Sequence, residues 1–167
     1  VITRNLDWQD AVTCPIFGDG AGAVVLGPSA EAHRGVQAVV TGSDGTGAEL
    51  LRLDAGGVAS MKAGQMQGDP FVRMDGKAIY RQATRHLSNT VGAVLEKAGW
   101  ALDTVDWLAP HQANRRLLLA VARRCGLPVE RVLMNIETRG NTSAASIPIV
   151  LDEAVRDGRL RPGHRVV

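Results

Sequence analysis

The chain has 167 residues, of which 45% are hydrophobic and 22% charged, and its formal net charge is +2. That is enough for one ordinary domain with a real core, in a composition normal for a globular protein. The charge is too small to argue for nucleic acid, and no apolar run approaches the roughly 20 residues that cross a bilayer.

Cys14 and Cys125 stand far apart, outside any Cys-x-x-Cys spacing. This argues against a disulfide scaffold or a zinc ribbon and for two reduced, mostly buried thiols in a cytoplasmic protein. Histidines at 33, 86, 111 and 164 show no metal-ligand spacing. The chain opens on Val1 rather than Met and shows no basic-then-apolar signal pattern. We read it as starting part-way through a longer chain.

Taken in chain order, residues 12–17 form a short β-like run, Gly18 to Gly22 a turn, and residues 23–26 a second apolar run closed by Gly27-Pro28. The pattern predicts strand, tight turn, strand. Residues 36–40 read as another strand, followed by a Gly-rich loop over 41–47. Residues 54–70 lack apolar periodicity and are read as a flexible segment. Residues 71–74 are a short strand candidate, after which Asp75 can cap a long helix. In that helix Ile79, Ala83, Leu87, Val91, Val94, Leu95 and Ala98 recur at helical spacing, and Gly99 stops it.

Residues 105–109 read as a buried strand. A second helix is predicted from about Gln112 to Cys125, with Leu117, Leu118, Val121 and Ala122 inward and Gly126 at its end. Residues 132–136 are a further strand. A loop through Gly140-Asn141 leads to a last helix carrying Ile147, Leu151 and Val155. Residues 161–167 look like a turn and the opening of one more strand, so a truncated C-terminus is expected. Strands alternating with helices imply parallel pairing with helical crossovers, an α/β fold.

Two motifs mislead. Gly18-Asp19-Gly20-Ala21-Gly22-Ala23 fits a variant of the dinucleotide fingerprint, which needs a helix to follow. Strand and turn follow instead, so the glycines are read as hairpin residues that permit positive φ and close packing. Asn141-Thr142-Ser143 fits the glycosylation sequon, and without a secretory signal it is read as a turn.

Two strand-to-helix junctions remain, "APHQAN" (residues 109–114) and "RGNTSAASIP" (residues 139–148). Ligands of open α/β sheets bind off the carboxyl ends of strands, and both junctions lie at that edge. One offers His111 and the other Asn141. A neutral imidazole N–H and a carboxamide N–H can both donate to one developing oxyanion. Taken singly, His111 reads equally as a capping or buried histidine, and Asn141 as a turn residue. Asp152 and Glu153 are adjacent on a helix and point apart, so they make no acid/base pair.

The stretches "FGDGAGAVVLG", "MDGKAIY", "DWLAPHQANRR", "RGNTSAASIPIVLDEA" and "DGRLRPG" together resemble the C-terminal half of a β-ketoacyl-acyl-carrier-protein synthase III, a member of the thiolase-like superfamily. The resemblance covers essentially the whole chain. It implies that residues 1–167 form the C-terminal thiolase-like domain of a condensing enzyme, with a mixed or parallel sheet and helices on both faces. The N-terminal half and the final strands would be absent.

In that family a Cys, a His and an Asn form the active site. The His corresponds to His111 and the Asn to Asn141. The family's cysteine lies at the start of a buried helix in the N-terminal half. Cys14 precedes Pro15 in a β-like run. Cys125 sits at the C-terminal end of its helix, where the dipole disfavours a thiolate. Neither resembles an activated nucleophile.

The implied reaction is a decarboxylative Claisen condensation of an acyl-CoA primer with malonyl-acyl carrier protein in fatty acid biosynthesis. His111 and Asn141 would hold the enolate oxygen, and no metal or redox cofactor is needed. By the same resemblance Asn114 lies near the pantetheine arm, and Gly76 and Tyr80 lie beside the cofactor and acyl tunnel. Tyr80 stands where the family more often has Phe. Arg116 falls on the docking surface for the acidic carrier protein. Arg123, seven residues on, shares nearly the same helical face, and a solvated basic face is the equal alternative for both. The complete enzyme is expected to be a homodimer with no nucleic-acid or membrane partner. Two other functions stay open: a starter-unit ketosynthase or acyltransferase of secondary metabolism on the same fold, and a non-catalytic carrier-protein-binding fragment.

Overall fold

The computed structural model describes residues 2–31, 33–56, 60–62 and 65–167. Among these, the elements run β1 (Leu51–Leu53), β2 (Met61–Lys62), β3 (Gln65–Met66), β4 (Val72–Met74), α1 (Gly76–Ala98), α2 (Arg115–Cys125), α3 (Ile136–Arg139) and α4 (Ser146–Arg156). β1 pairs antiparallel with β4, placing Leu51 opposite Met74. β2 and β3 form a second antiparallel pair.

The layer that positions the site is parallel and very short. Trp107 bridges to Val166 and Leu108 to Val132, both in parallel sense, so the segment around residue 107 lies in the middle. On one side Leu108 N–H donates to Arg131 C=O and Leu133 N–H to Leu108 C=O, each at 2.8 Å. On the other, Ala109 N–H donates to Val167 C=O at 2.8 Å and Val167 N–H to Trp107 C=O at 3.0 Å.

Alternation along these segments sends side chains to opposite faces. Leu108 and Val132 pack with Val91 and Leu95 of α1 and with Leu117, Leu118, Val121 and Ala122 of α2. Ala109 and Leu133 pack with Val150 and Ala154 of α4. Helices therefore cover both faces of a parallel layer, which is the α/β architecture anticipated.

The helix termini follow their caps. The Asp75 carboxylate accepts from Ala78 N–H, and Gly99 closes α1 at φ 66°. Gly126 closes α2 at φ 75°, a left-handed conformation that suits a residue without Cβ. The second helix begins at Arg115 rather than near Gln112. Asn114 is its cap, accepting from Leu117 N–H, so residues 110–114 are left as loop.

Several expected strands are corrected. Residues 12–17 form turns, because Asp10 captures the backbone: its side chain accepts from Val12 N–H, and its carbonyl from Thr13 and Cys14 N–H. Only Phe17 makes a strand-like bridge, and it does so with Asn141. Residues 23–26 and 36–40 belong to no ladder and lie largely exposed. Residue 136 opens α3 instead of ending a strand. Of the segment 54–70 read as flexible, positions 57–59, 63 and 64 lie outside the described residues, while β2 and β3 occupy part of the rest. The cysteines are both free and only half-buried.

The glycines of the false fingerprint serve close packing alone. A Cβ on Gly18 would collide with the Arg139 carbonyl oxygen, and one on Gly22 with the Pro148 ring. None of Gly18, Gly20 and Gly22 has positive φ, so the hairpin explanation fails and the close-approach explanation holds.

Candidate active site

His111 leaves the carboxyl end of the central parallel segment, and Asn141 sits in the loop between α3 and α4. Both line one cavity of about 990 Å³. Asn114, Gly76, Tyr80 and Arg116 line the same cavity. Six of the seven singled-out residues are thus brought to one place. Arg123 is not among its lining residues; it is exposed in the last turn of α2 beside Arg124.

Asn141 is buried and held by its own backbone. Its N–H donates to Ile16 C=O at 2.8 Å, and its C=O accepts from Gly18 N–H at 3.0 Å. The carboxamide oxygen accepts from Ser143 N–H at 2.9 Å. That bond uses the amide's acceptor end and leaves its two N–H donors for other partners. Ser143 takes φ 54° to make the turn, a left-handed conformation unusual outside glycine.

His111 is partly buried, and its Nδ1 lies 2.7 Å from Ser146 Oγ. Burial pushes its pKa below the ordinary 6.5, opposed in lesser degree by the nearby Ser143 carbonyl. Taking an imidazolium out of water is costly, so the neutral ring is favoured.

Beside it, Gln112 is fully buried and its side chain ties its own loop to the segment from Leu133 to Asn135. Its Nε2 donates to Pro110 C=O at 2.9 Å and to Leu133 C=O at 3.0 Å. Its Oε1 accepts from Asn135 N–H at 3.1 Å. Gln112→Ala is expected to leave Asn135 N–H and the two carbonyls without these partners. A cost of about 3 kcal/mol or more follows, read as a lower urea midpoint, and an unchanged midpoint would contradict it.

Next to this staple, Glu153 accepts from Asn135 Nδ2 at 2.8 Å and pairs with Arg139 at 2.7 Å. The Asn135 amide first, and then Arg139, hold its carboxyl below the usual range. Asp152 turns away to Arg156 at 2.8 Å, so the two acids do not act together.

Neither cysteine lines the cavity. Cys125 has its pKa raised, chiefly by burial. No group of three or more His, Cys, Asp or Glu side chains among the described residues could hold a metal ion. No helix there is long and apolar enough to cross a membrane.

The sequence reading missed Ser146, Gln112 and the backbone of residues 16–18. The available signal for Ser146 was its place at the start of a helix, where a hydroxyl usually serves as a cap. Nothing in the residue pattern pointed to Ile16 and Gly18, which reach Asn141 through backbone atoms.

A family profile described as 3-oxoacyl-[acyl-carrier-protein] synthase III C terminal matches residues 95–167. A second, described as 3-oxoacyl-[acyl-carrier-protein] synthase III, matches residues 1–45. The chain is 46% identical over 165 residues to the β-ketoacyl-[acyl-carrier-protein] synthase III of Rhizorhabdus wittichii, covering 99% of this chain and 50% of that protein.

Among solved structures, the 3-oxoacyl-[acyl-carrier-protein] synthase III of Aquifex aeolicus aligns with a TM-score of 0.88 at 37% identity, over 99% of this chain and 49% of that one. A priming β-ketosynthase of a polyketide biosynthetic pathway aligns with a TM-score of 0.87 at 35% identity, over the same two shares. The chain spans about half the length of the curated relatives it matches. On these matches and on its thiolase-like α/β fold, the chain belongs to the 3-oxoacyl-[acyl-carrier-protein] synthase III family.

Proposed function

We propose that residues 1–167 are the C-terminal thiolase-like part of a β-ketoacyl-acyl-carrier-protein synthase III, which works only when joined to an N-terminal half. The observation that carries this reading is the pairing of His111 and Asn141 on one cavity wall, with the acceptor end of Asn141 already occupied by Ser143 N–H. Two side chains with N–H donors to offer, both bordering one cavity, suit an anionic oxygen rather than a cation.

The acyl group passes from acyl-CoA to a cysteine thiolate of the N-terminal half, releasing CoA. Neither Cys14 nor Cys125 takes that role. Malonyl-acyl carrier protein then enters and loses carbon dioxide. The electron pair of the broken C–C bond moves onto the thioester oxygen, where His111 and Asn141 donate to the enolate. Its carbon attacks the acyl-cysteine, the thiolate leaves, and a β-ketoacyl carrier protein results. Nothing in these steps calls for a metal or redox group.

Asn114 and Arg116 at the cavity rim serve the pantetheine arm and the acidic carrier, and Gly76 and Tyr80 border the acyl tunnel. Arg123 extends the basic face for the carrier on the outside of α2. The complete enzyme is a cytoplasmic homodimer.

The test joins this chain to the N-terminal half of the Rhizorhabdus wittichii relative. Acyl-CoA and malonyl-acyl carrier protein are then supplied and β-ketoacyl product is followed. A folded hybrid that binds both substrates yet makes no product counts against the reading. The likeness to a priming ketosynthase favours a second reading, starter-unit synthesis, and a preference for a polyketide carrier protein over the fatty-acid one would select it.

The depressed pKa of His111 fixes a sign for the pH dependence. The neutral donor is present at and above pH 6.5, the ordinary histidine value. It is lost only as pH falls through the depressed value. The acid limb of decarboxylation is therefore expected below 6.5, and a limb at or above that pH would contradict the burial argument.

A further inference from the structure

We infer that Ser146 is a positioning residue that sets the tautomer of His111, an assignment that deepens the condensing-enzyme reading and rests on it for its catalytic consequence. Ser146 opens α4, yet it does not cap its own helix, and the N-cap position, Ala145, has no side-chain bond. Its hydroxyl is spent across the cavity wall instead, 35 residues back in the chain. The oxygen is fully buried. It accepts the backbone N–H of Gln112 at 3.1 Å and lies 2.7 Å from His111 Nδ1.

A serine hydroxyl has one proton to give and two lone pairs to receive. The Gln112 amide can only donate, so it takes a lone pair. The acceptor within reach of the hydroxyl proton is the Nδ1 lone pair. Nδ1 is then unprotonated, and a neutral ring must carry its proton on Nε2, the nitrogen remote from Ser146. The positive end of the α4 dipole begins at Ser146 and also disfavours a proton on the Nδ1 side. Burial favours the neutral ring over the opposing Ser143 backbone contact, and the choice of nitrogen then rests on the Ser146 hydroxyl beside Nδ1.

The consequence is a division of labour. His111 can act as a donor to an oxyanion only if the nitrogen free of Ser146 bears hydrogen. In the other tautomer that nitrogen is a lone pair and repels the enolate. Gln112 completes the arrangement, because its side chain anchors the loop while its backbone N–H occupies the serine oxygen. The hydroxyl is thereby turned toward the ring.

The test uses the complete hybrid synthase labelled with 15N-histidine, with the His111 signals identified by their disappearance in His111→Gln. The wild-type ring is expected to show an unprotonated Nδ1 and a protonated Nε2 at neutral pH. Ser146→Ala is expected to give a tautomer mixture and to slow decarboxylation by about 10- to 100-fold, by analogy with the partners that fix the tautomer of metal-bound histidines. The KM for malonyl carrier protein should hardly change. Ser146→Thr, which keeps the hydroxyl, should restore both spectrum and rate.

A wild-type ring protonated on Nδ1 overturns the assignment whatever the variants do. So does an unchanged tautomer in Ser146→Ala. A tautomer that shifts as expected, with decarboxylation unaffected, upholds Ser146 as the group that sets the tautomer and overturns its catalytic consequence, whereas a folded wild-type hybrid that decarboxylates nothing overturns the condensing-enzyme reading instead.

Discussion

His111→Ala and Asn141→Ala, each introduced into the complete synthase, are expected to slow malonyl decarboxylation by about 10²–10³ while acyl transfer to the cysteine stays partly intact. Each removes one donor from an oxygen that develops full negative charge, a loss of about 3–4 kcal/mol in comparable oxyanion sites. Acyl transfer passes through a different oxyanion, which donors near the cysteine can serve. The loop should survive in Asn141→Ala, because the backbone bonds to Ile16 and Gly18 do not use the side chain.

Asn141→Asp sharpens the test. It keeps an oxygen that can accept from Ser143 N–H, but it replaces the donating nitrogen with a second oxygen. It should be at least as slow as the alanine variant although its turn is better preserved. Carbon dioxide release and radiolabelled acyl-enzyme, followed separately, read the two steps. Wild-type decarboxylation by both alanine variants would make His111 and Asn141 structural residues.

The parts of this molecule legible in the sequence are those in which side chains encode their own environment. The α1 helix announced itself through an apolar repeat, the Asp75 cap and the Gly99 stop, all three of which act locally. The junction at His111 was legible because a buried run followed by a polar loop marks a strand end, whereas the one at Asn141 follows the short helix α3 rather than a strand, although both residues line one cavity. The strands of residues 12–17, 23–26 and 36–40 were not. Strand propensity describes a fit to neighbours rather than a backbone preference. At residues 12–17 the Asp10 carboxylate and carbonyl offered nearer partners. At 23–26 and 36–40 no neighbouring strand is present among the described residues.

The supporting shell of the site was invisible for another reason. Gln112 and Ser146 work by hydrogen bonds between groups 21 to 35 residues apart, and such pairings leave no periodicity to read. The glycines at 18 and 22 were readable as close-packing residues but not for their true neighbours, Arg139 and Pro148.

The chain by itself is expected to make no condensation product and to self-associate. Among the described residues, the cavity that holds His111 and Asn141 has no cysteine on its wall. Cys125 lies at the C-terminal end of α2 with its thiol pushed toward the neutral form, and Cys14 sits among the Asp10 turns. On the proposed mechanism no acyl-enzyme is expected within reach of the two donors, so the expected loss is complete rather than partial.

The association follows from residues 23–26. Val24, Val25 and Leu26 are 70%, 99% and 81% exposed, and their backbone groups find no hydrogen-bonding partner among the described residues. Val36 and Val39 add a second apolar stretch, 72% and 55% exposed. An apolar segment with open backbone donors and acceptors is a template for pairing with another chain. Intact mass and size-exclusion chromatography should therefore show oligomers for the 167-residue chain and a defined dimer of the hybrid. Acylation with radiolabelled acyl-CoA should mark the hybrid alone. A monodisperse monomer with measurable turnover, its mass verified, would overturn the proposal that a nucleophile and an N-terminal half must be supplied.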